Sequence, residues 1–384
     1  MKIYYWCPFL TNIATIKSVI KSAKSIKKYN SIEKENTEVT ILNSCGEWDF
    51  LKNNLYNIKI NNLLPLNLYK FLPKEGFIQS RLSFLLIFFS NFFPLLFNIK
   101  TNKPKFLVVH LLTLLPIVLS PFLSKNTKII LRISGLPKLT TFRKFIWKIF
   151  SKYIYIITAP TQITYDFLIE SKIFEKSKIK LLRDPIIEYE EIKEKKNIRI
   201  DKSFDNSKFY LSIGRLTGQK NFSFLIKMFS KHNKNFKINK LLIIGDGEEK
   251  NNLVKLKNEL GLKDEVSFIY KSSEQEKVGL IEKSNIFVMP SVVYKKSIEG
   301  FGITFIEAAS YGKASIGGIF GGEADAIIEG KTGYLCDGDD LNELYETILK
   351  MVNNEHYKEL GNNALEFSKN FSWDKIIKKY IELI

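Results

Sequence analysis

Apolar and polar residues alternate along this chain in blocks. Short apolar runs are separated by longer stretches in which apolar positions recur at helical spacing. The N-terminal half opens on the strand KIYYW. It is followed by TIKSVIKSAKSIKKY, whose apolar positions share one helical face while lysines take the others. Further strands are expected at Glu38–Leu42, Phe106–His110, Lys128–Ile133 and Ile154–Ala159. The alternation is clearer in the second half. Strands are expected at Phe209–Gly214, Lys240–Gly245, Val266–Tyr270, Asn285–Pro290, Ala314–Ile319 and Gly333–Cys336. Helices are expected over Phe222–Ser230, Lys250–Leu260, Gln275–Lys283, Ile303–Tyr311, Leu341–Asn353 and near Trp373–Ile384. Strand–helix alternation of this kind predicts mostly parallel sheets flanked by helices.

A length of 384 residues exceeds what one hydrophobic core usually serves, so two domains are expected. The charged stretch EYEEIKEKKNIRIDKSFDN, 188–206, reads as the linker between them. The expected division is a first domain over 1–187, a second over 207–370, and a C-terminal helix over 371–384 that returns to the first. The fold class is α/β, with two tandem doubly wound, Rossmann-like domains facing a cleft. Ligands of such sheets bind outside the carboxyl ends of the strands.

Two uncharged apolar runs, Leu82–Phe97 and Phe106–Leu123, are read as a buried strand and core helices rather than a transmembrane hairpin. The second contains His110, Pro116 and Pro121 and begins like a strand. The N-terminus MKIYYWCPFL lacks the long apolar core of a signal peptide. Cys7, Cys45 and Cys336 are scattered, which implies neither a disulfide framework nor a metal site and fits a reducing cytoplasm.

The net charge is +18, and it is unevenly spread: residues 1–190 hold 28 Lys and Arg against 12 Asp and Glu. A basic first half points to an anionic partner. Lys21, Lys24, Lys27 and Lys28 on the early helix, and Arg143, Lys144, Trp147, Lys148 and Lys152 further on, suit an anionic membrane surface. Neither stretch carries a base-reading or stacking pattern, so nucleic acid is not expected as a partner.

Three segments near strand ends in the second half carry chemistry. Gly214 closes a strand, and Arg215 and Lys220 lie on the loop beyond, followed by Asn221; two cations so placed suit a diphosphate. Gly245-Asp246-Gly247 ends the next strand, without the third glycine of a dinucleotide site. Glu299-Gly300-Phe301-Gly302 leads into a helix carrying Glu307, so an anion at the helix start would have a carboxylate on either side.

Taken in order, these elements resemble the family-4 retaining glycosyltransferases of the GT-B fold. The resemblance rests on the Glu-x7-Glu spacing of Glu299 and Glu307, on the GR-L…QKN loop and the GDG strand end, and on the later stretch Gly321-Gly322-Glu323…Gly330-Lys331-Thr332-Gly333. It covers roughly residues 207–370. It implies that Arg215 and Lys220 bind the donor diphosphate and assist departure of the nucleotide, and that Glu299 contacts the donor sugar. It also implies that Gly300–Gly302 hold the phosphate or sugar, that Glu307 binds ribose, and that Tyr270 and Lys271 lie near the base. Gly214, Asn221, Gly245 and Gly247 complete the implied donor site. The implied reaction is metal-independent, cofactor-free transfer of a hexosyl or N-acetylhexosaminyl group with retention. The donor is a nucleotide-diphosphate sugar, and the acceptor a polysaccharide, lipopolysaccharide or lipid-linked glycan at the cytoplasmic face of the inner membrane.

The first half departs from the family pattern. The loop after its first strand, Pro8–Ala14, has no glycine, and the strand Lys128–Ile133 ends in Ser134-Gly135 where relatives carry a histidine. His110 follows a different strand. A non-catalytic nucleotide-sugar-binding subunit therefore stands as the alternative reading.

Overall fold

The structure, a computed structural model, describes all residues except 12–13, 33–35, 56–57, 75–76, 124, 184, 187–207, 233–237, 296 and 384. The expected linker, 188–206, lies outside the described residues. The chain divides into two compact units, Met1–Pro185 with Trp373–Ile384, and Ile186–Ser372.

The first unit runs β1 (Lys2–Trp6), α1 (Ala14–Ile32), β2 (Glu38–Asn43), β3 (Lys59–Asn62), α2 (Phe77–Asn102), β4 (Phe106–Val109), α3 (Leu114–Leu119), β5 (Lys128–Arg132), α4 (Thr141–Phe150), β6 (Ile154–Ala159), α5 (Gln162–Glu170) and β7 (Ile179–Leu181). The strands form one parallel sheet in the order β3-β2-β1-β4-β5-β6-β7. Alternate residues of β1 go to opposite faces. Tyr4 and Trp6 join Leu95 and Ile99 of α2, Leu115 and Ile117 of α3 and Trp147 of α4. Ile3 and Tyr5 join Val19, Ala23 and Ile26 of α1. The C-terminal segment adds Trp373, Ile377 and Tyr380 to that second face.

The second unit runs β8 (Phe209–Ile213), α6 (Phe222–His232), β9 (Lys240–Ile244), α7 (Lys250–Glu259), β10 (Val266–Ile269), α8 (Glu274–Lys283), β11 (Ile286–Met289), α9 (Ile303–Ala309), β12 (Ala314–Gly318), β13 (Gly333–Cys336), α10 (Leu341–Val352) and α11 (Tyr357–Ser368); α12 (Trp373–Glu382) follows and belongs to the first unit. Its sheet is also parallel, in the order β10-β9-β8-β11-β12-β13. Each sheet thus reverses winding direction once, between β1 and β4 in one and between β8 and β11 in the other. Both units are Rossmann-like, and the architecture is GT-B.

One sequence expectation is corrected here. Phe106–Leu123 does form a buried strand and a core helix, β4 and α3. The other run, Leu82–Phe97, lies in α2, and only one side of that helix is core: Phe89, Phe93 and Phe97 are 70%, 62% and 63% exposed. An apolar residue signals burial only when the fold supplies a partner for its side of the helix.

Candidate functional site

In the second unit the chemically active side chains gather at the carboxyl ends of β8, β11 and β12, around the point where the winding reverses. Gly214 follows β8, its N–H donating to the Ile244 carbonyl (3.0 Å). The loop beyond turns through a short 3-10 segment, Gly218–Lys220, and ends at Asn221, which is left-handed (φ 55°) and opens α6. Two ties fix this loop to the segment after β11. The Gln219 carbonyl accepts from Val292 N–H (2.9 Å), and the Gln219 side chain accepts from the Ser297 hydroxyl (2.8 Å). The lacing presses Lys220 against Glu299 in a hydrogen-bonded ion pair, with only 15% and 12% of the two side chains exposed.

A second carboxyl stands beside this pair. The segment after β12 crosses the Glu299–Gly300 backbone so closely that Gly322 N–H donates to the Glu299 carbonyl (3.1 Å). A Cβ on Gly322 would lie 1.9 Å from the Gly300 carbonyl oxygen, and one on Gly321 would lie 2.8 Å from the Glu299 Cβ. Glu323 follows, fully buried, and neither of its oxygens has a hydrogen-bond partner among the described residues. Burial first, and then the negative charge of Glu299, push its pKa up to about 8, with the Lys220 charge pulling the other way. At neutral pH Glu323 is mostly the neutral acid, beside the Lys220–Glu299 contact. Sequence reasoning quoted Glu323 within a motif and gave it no role. The available signal was an acid directly after two glycines at a strand end.

The remaining expected residues divide into framework and periphery. The Asn221 side chain is buried and donates to the Gly338 carbonyl (2.8 Å), anchoring the loop. Phe301, expected at the donor, is instead core: it is 7% exposed and its ring lies 5.5 Å from that of Phe371. Gly302 is left-handed (φ 73°) and caps α9, which ends at Ala309, two residues short of the expected Tyr311. Gly245 and Gly247 let two strand ends touch, since Cβ atoms there would lie 1.9 Å from the Gly214 carbonyl oxygen and 2.5 Å from that of Leu216.

Glu307 accepts from Lys277 (3.1 Å), which also pairs with Glu274 (2.8 Å). Burial works against the Lys277 charge, but the two carboxylates outweigh it and raise its pKa. Arg215 points outward, 78% exposed, and pairs with Glu248 at 3.7 Å. Tyr270 and the exposed Lys271 follow β10 at the same sheet edge. The Tyr270 ring stacks on Phe268 (6.0 Å), and the Lys250 Nζ sits 3.7 Å from its centroid. The structure therefore brings together Lys220, Glu299 and Gly300, and adds Glu323. Among the described residues no group of three or more His, Cys, Asp and Glu side chains is placed to hold a metal ion.

Residues 193–367, nearly the whole of this unit, match the family model described as Glycosyl transferases group 1. The chain is 34% identical over 182 residues to an uncharacterized glycosyltransferase of Methanocaldococcus jannaschii, a match covering 46% of this chain and 48% of that protein. It therefore spans about half the length of that curated relative. A second uncharacterized glycosyltransferase of the same organism is 29% identical over 335 residues, covering 74% of this chain and 80% of the relative. A Campylobacter jejuni protein, named GalNAc-alpha-(1->4)-GalNAc-alpha-(1->3)-diNAcBac-PP-undecaprenol alpha-1,4-N-acetyl-D-galactosaminyltransferase, is 30% identical over 210 residues, covering 54% of each. Among solved structures, Anabaena HepE in complex with UDP superposes with a TM-score of 0.71 at 14% identity, covering 100% of this chain and 99% of that one.

Outside the matched residues, the first unit holds a cavity of about 300 Å³ at the carboxyl ends of the adjacent strands β4 and β5. His110 and Ser134, which follow different strands, both line it, with Thr113, Lys138 and Arg143. His110 is buried, and its Nε2 has no partner among the described residues. Burial first, then the Arg132 charge, hold its pKa well below the usual histidine range, so the ring is neutral at pH 7.

Proposed function

We propose that this protein is a retaining glycosyltransferase of the family-4 type, moving a hexosyl or N-acetylhexosaminyl group from a nucleotide-diphosphate sugar to a glycan or lipid-linked acceptor. The observation that carries the reading is the Lys220–Glu299 pair with Glu323 behind it, at the winding reversal of a glycosyl transferases group 1 domain. In the reaction the bond between the sugar and the diphosphate breaks, a bond to an acceptor hydroxyl forms, and the nucleoside diphosphate leaves. Negative charge grows on the leaving diphosphate. Lys220, fixed by the lacing of its loop, supplies preorganised positive charge there without a metal ion, and the exposed Arg215 of the same loop adds a second cation. Glu299 accepts hydrogen bonds from donor-sugar hydroxyls, and the backbone at Gly300–Gly302 approaches the phosphate or sugar. Glu307 is balanced by Lys277 and orients the ribose, with Tyr270 and Lys271 near the base.

The first unit takes the acceptor. Its cavity offers a neutral imidazole, two hydroxyl side chains and two cations, Lys138 and Arg143. That inventory suits a glycan carried on a phosphate, like the diphosphate-linked glycan in the Campylobacter relative's name. The basic charge of residues 1–190 supports work at the cytoplasmic face of a membrane. The reading is tested by a thermal-shift panel of UDP-, GDP-, ADP- and CMP-sugars. Binding to the folded state raises the apparent Tm by mass action, so one donor class stands out. No shift with any of the four overturns the donor assignment. Donor binding without turnover in the presence of membrane extract supports a non-catalytic binding subunit instead.

A further inference from the structure

Helix α2 is apolar on both sides. Toward the sheet it presents Ile87, Leu95 and Ile99, each at most 1% exposed. Away from the sheet it presents Ile78, Leu82, Leu85, Leu86, Phe89, Phe93 and Phe97, each more than half exposed. Their spacing places them on one stripe, and a helix of this length runs about 39 Å at 1.5 Å per residue. The neighbouring elements of the same layer continue the surface. Phe122 after α3, and Phe142 and Phe145 of α4, are 56%, 67% and 62% exposed. A continuous apolar surface of this extent on a folded unit marks a binding face.

Charge identifies what the face meets. Residues 76–165 contain twelve lysines and arginines and not one Asp or Glu. On α4 the exposed rings alternate with Lys144 and Lys148, and Arg81 and Lys100 flank the α2 stripe. A two-fold contact with a second copy would set this cationic border against itself, since the same patch faces itself in a symmetric dimer. An anionic bilayer complements both features. Crossing the bilayer is a different matter. The stretch Ile78–Asn102 is long and apolar enough to span one. To do so it would have to leave the core that holds Leu95 and Ile99, and carry the buried Asn91 amide into hydrocarbon.

We propose that the outward stripe of α2, with the exposed rings of α4, is a bilayer-embedding face on which the protein lies, the helix in the plane of the membrane and its cationic border against anionic headgroups. This deepens the membrane-face part of the function proposed above and changes its basis. Two basic stretches were singled out from the sequence, and α1 and α4 lie on opposite faces of the sheet, so they cannot both meet one flat surface. The α4 side is the one with apolar surface.

The test is flotation of the full-length protein with phosphatidylcholine vesicles, with and without phosphatidylglycerol. The protein floats with the anionic vesicles, and part of the binding survives high salt because it is apolar. The double variant Phe89→Ser, Phe93→Ser partitions about tenfold less, with an unchanged donor thermal shift. As a variant that does not threaten the fold, Phe93→Trp is quenched by lipids brominated in the acyl chains, against four native tryptophans that are all buried. Absence of flotation, flotation unaffected by the double variant, or absence of quenching overturns the proposal. So does a dimer, seen by light scattering, that the double variant dissociates. Because donor binding is read separately in the second unit, failure here leaves the glycosyltransferase reading standing, and its failure leaves this one.

Discussion

Replacing Glu323 by Gln tests the electrostatics of the second unit directly. The carboxyl is fully buried and has a pKa of about 8 against an ordinary 4.5. The folded state therefore binds a proton between those two pH values that the unfolded chain has released. Stability falls as pH rises across that window, by about 1.4 kcal/mol per pH unit. The loss starts near pH 4.5 and levels off above about pH 8, giving roughly 5 kcal/mol across the whole range if nothing relaxes. Gln has the same shape as the neutral acid and cannot ionise. Wild type and Glu323→Gln should therefore be similar near pH 5, and the variant should become progressively more stable as pH rises to 8. The assay is the difference in apparent Tm, or in urea midpoint, between the two proteins at each pH, which cancels every other titrating group. Glu323→Ala serves as a control: it too cannot ionise but leaves a cavity, so its curve should run parallel to that of Glu323→Gln and below it at every pH. If the wild-type and Gln curves run parallel from pH 5.5 to 8.5, Glu323 is ionised in the fold and the account of its neighbours is wrong.

Two further outcomes follow from the same geometry. Glu299→Ala should abolish transfer by about a hundredfold or more while leaving affinity for the free nucleoside diphosphate within a few-fold, and Arg215→Ala should weaken both. Near-normal turnover by Glu299→Ala in a steady-state assay removes Glu299 from the chemistry. Gly322→Ala places a methyl group 1.9 Å from the Gly300 carbonyl oxygen, and the strands that carry these segments cannot easily part. It should cost about 3 kcal/mol or more and lower the Tm by several degrees. An unchanged Tm would falsify the close crossing.

Much of the fold was legible because buried parallel strands read as unbroken apolar runs. Phe209–Ile213 and Ile286–Met289 are buried at every position. The strands that escaped notice are the sheet edges. β3 reads KINN and β7 is exposed at two of three positions, so neither has a hydrophobic signature. Helix α11 was missed because its YKELGNNALEFS packs largely through small residues such as Gly361 and Ala364. In the candidate site, the residue types were readable and the pairing was not. Lys220 and Glu299 are separated by 79 positions and meet only through the ties at Val292 and Ser297. The protonation of Glu323 depends on burial and on a neighbour brought in by a different strand, and neither leaves a local mark. The outward stripe of α2 has the same composition as a core helix, and only the fold reveals that one side has no protein partner.

The return of α12 to the first unit makes the two units unequal as pieces of polypeptide. The second is one uninterrupted segment, Ile186–Ser372, and its entry and exit are held side by side by the Ile186 N–H to the Phe371 carbonyl (3.0 Å). It can be excised as a single fragment or inserted elsewhere through adjacent ends. The first unit has no such freedom. Its core is closed by Trp373, Ile377 and Tyr380, which follow the whole second unit in the chain. That unit cannot complete its packing until the second has emerged, so a stop codon just before Trp373 opens the core of the first unit while leaving Ile186–Ser372 whole.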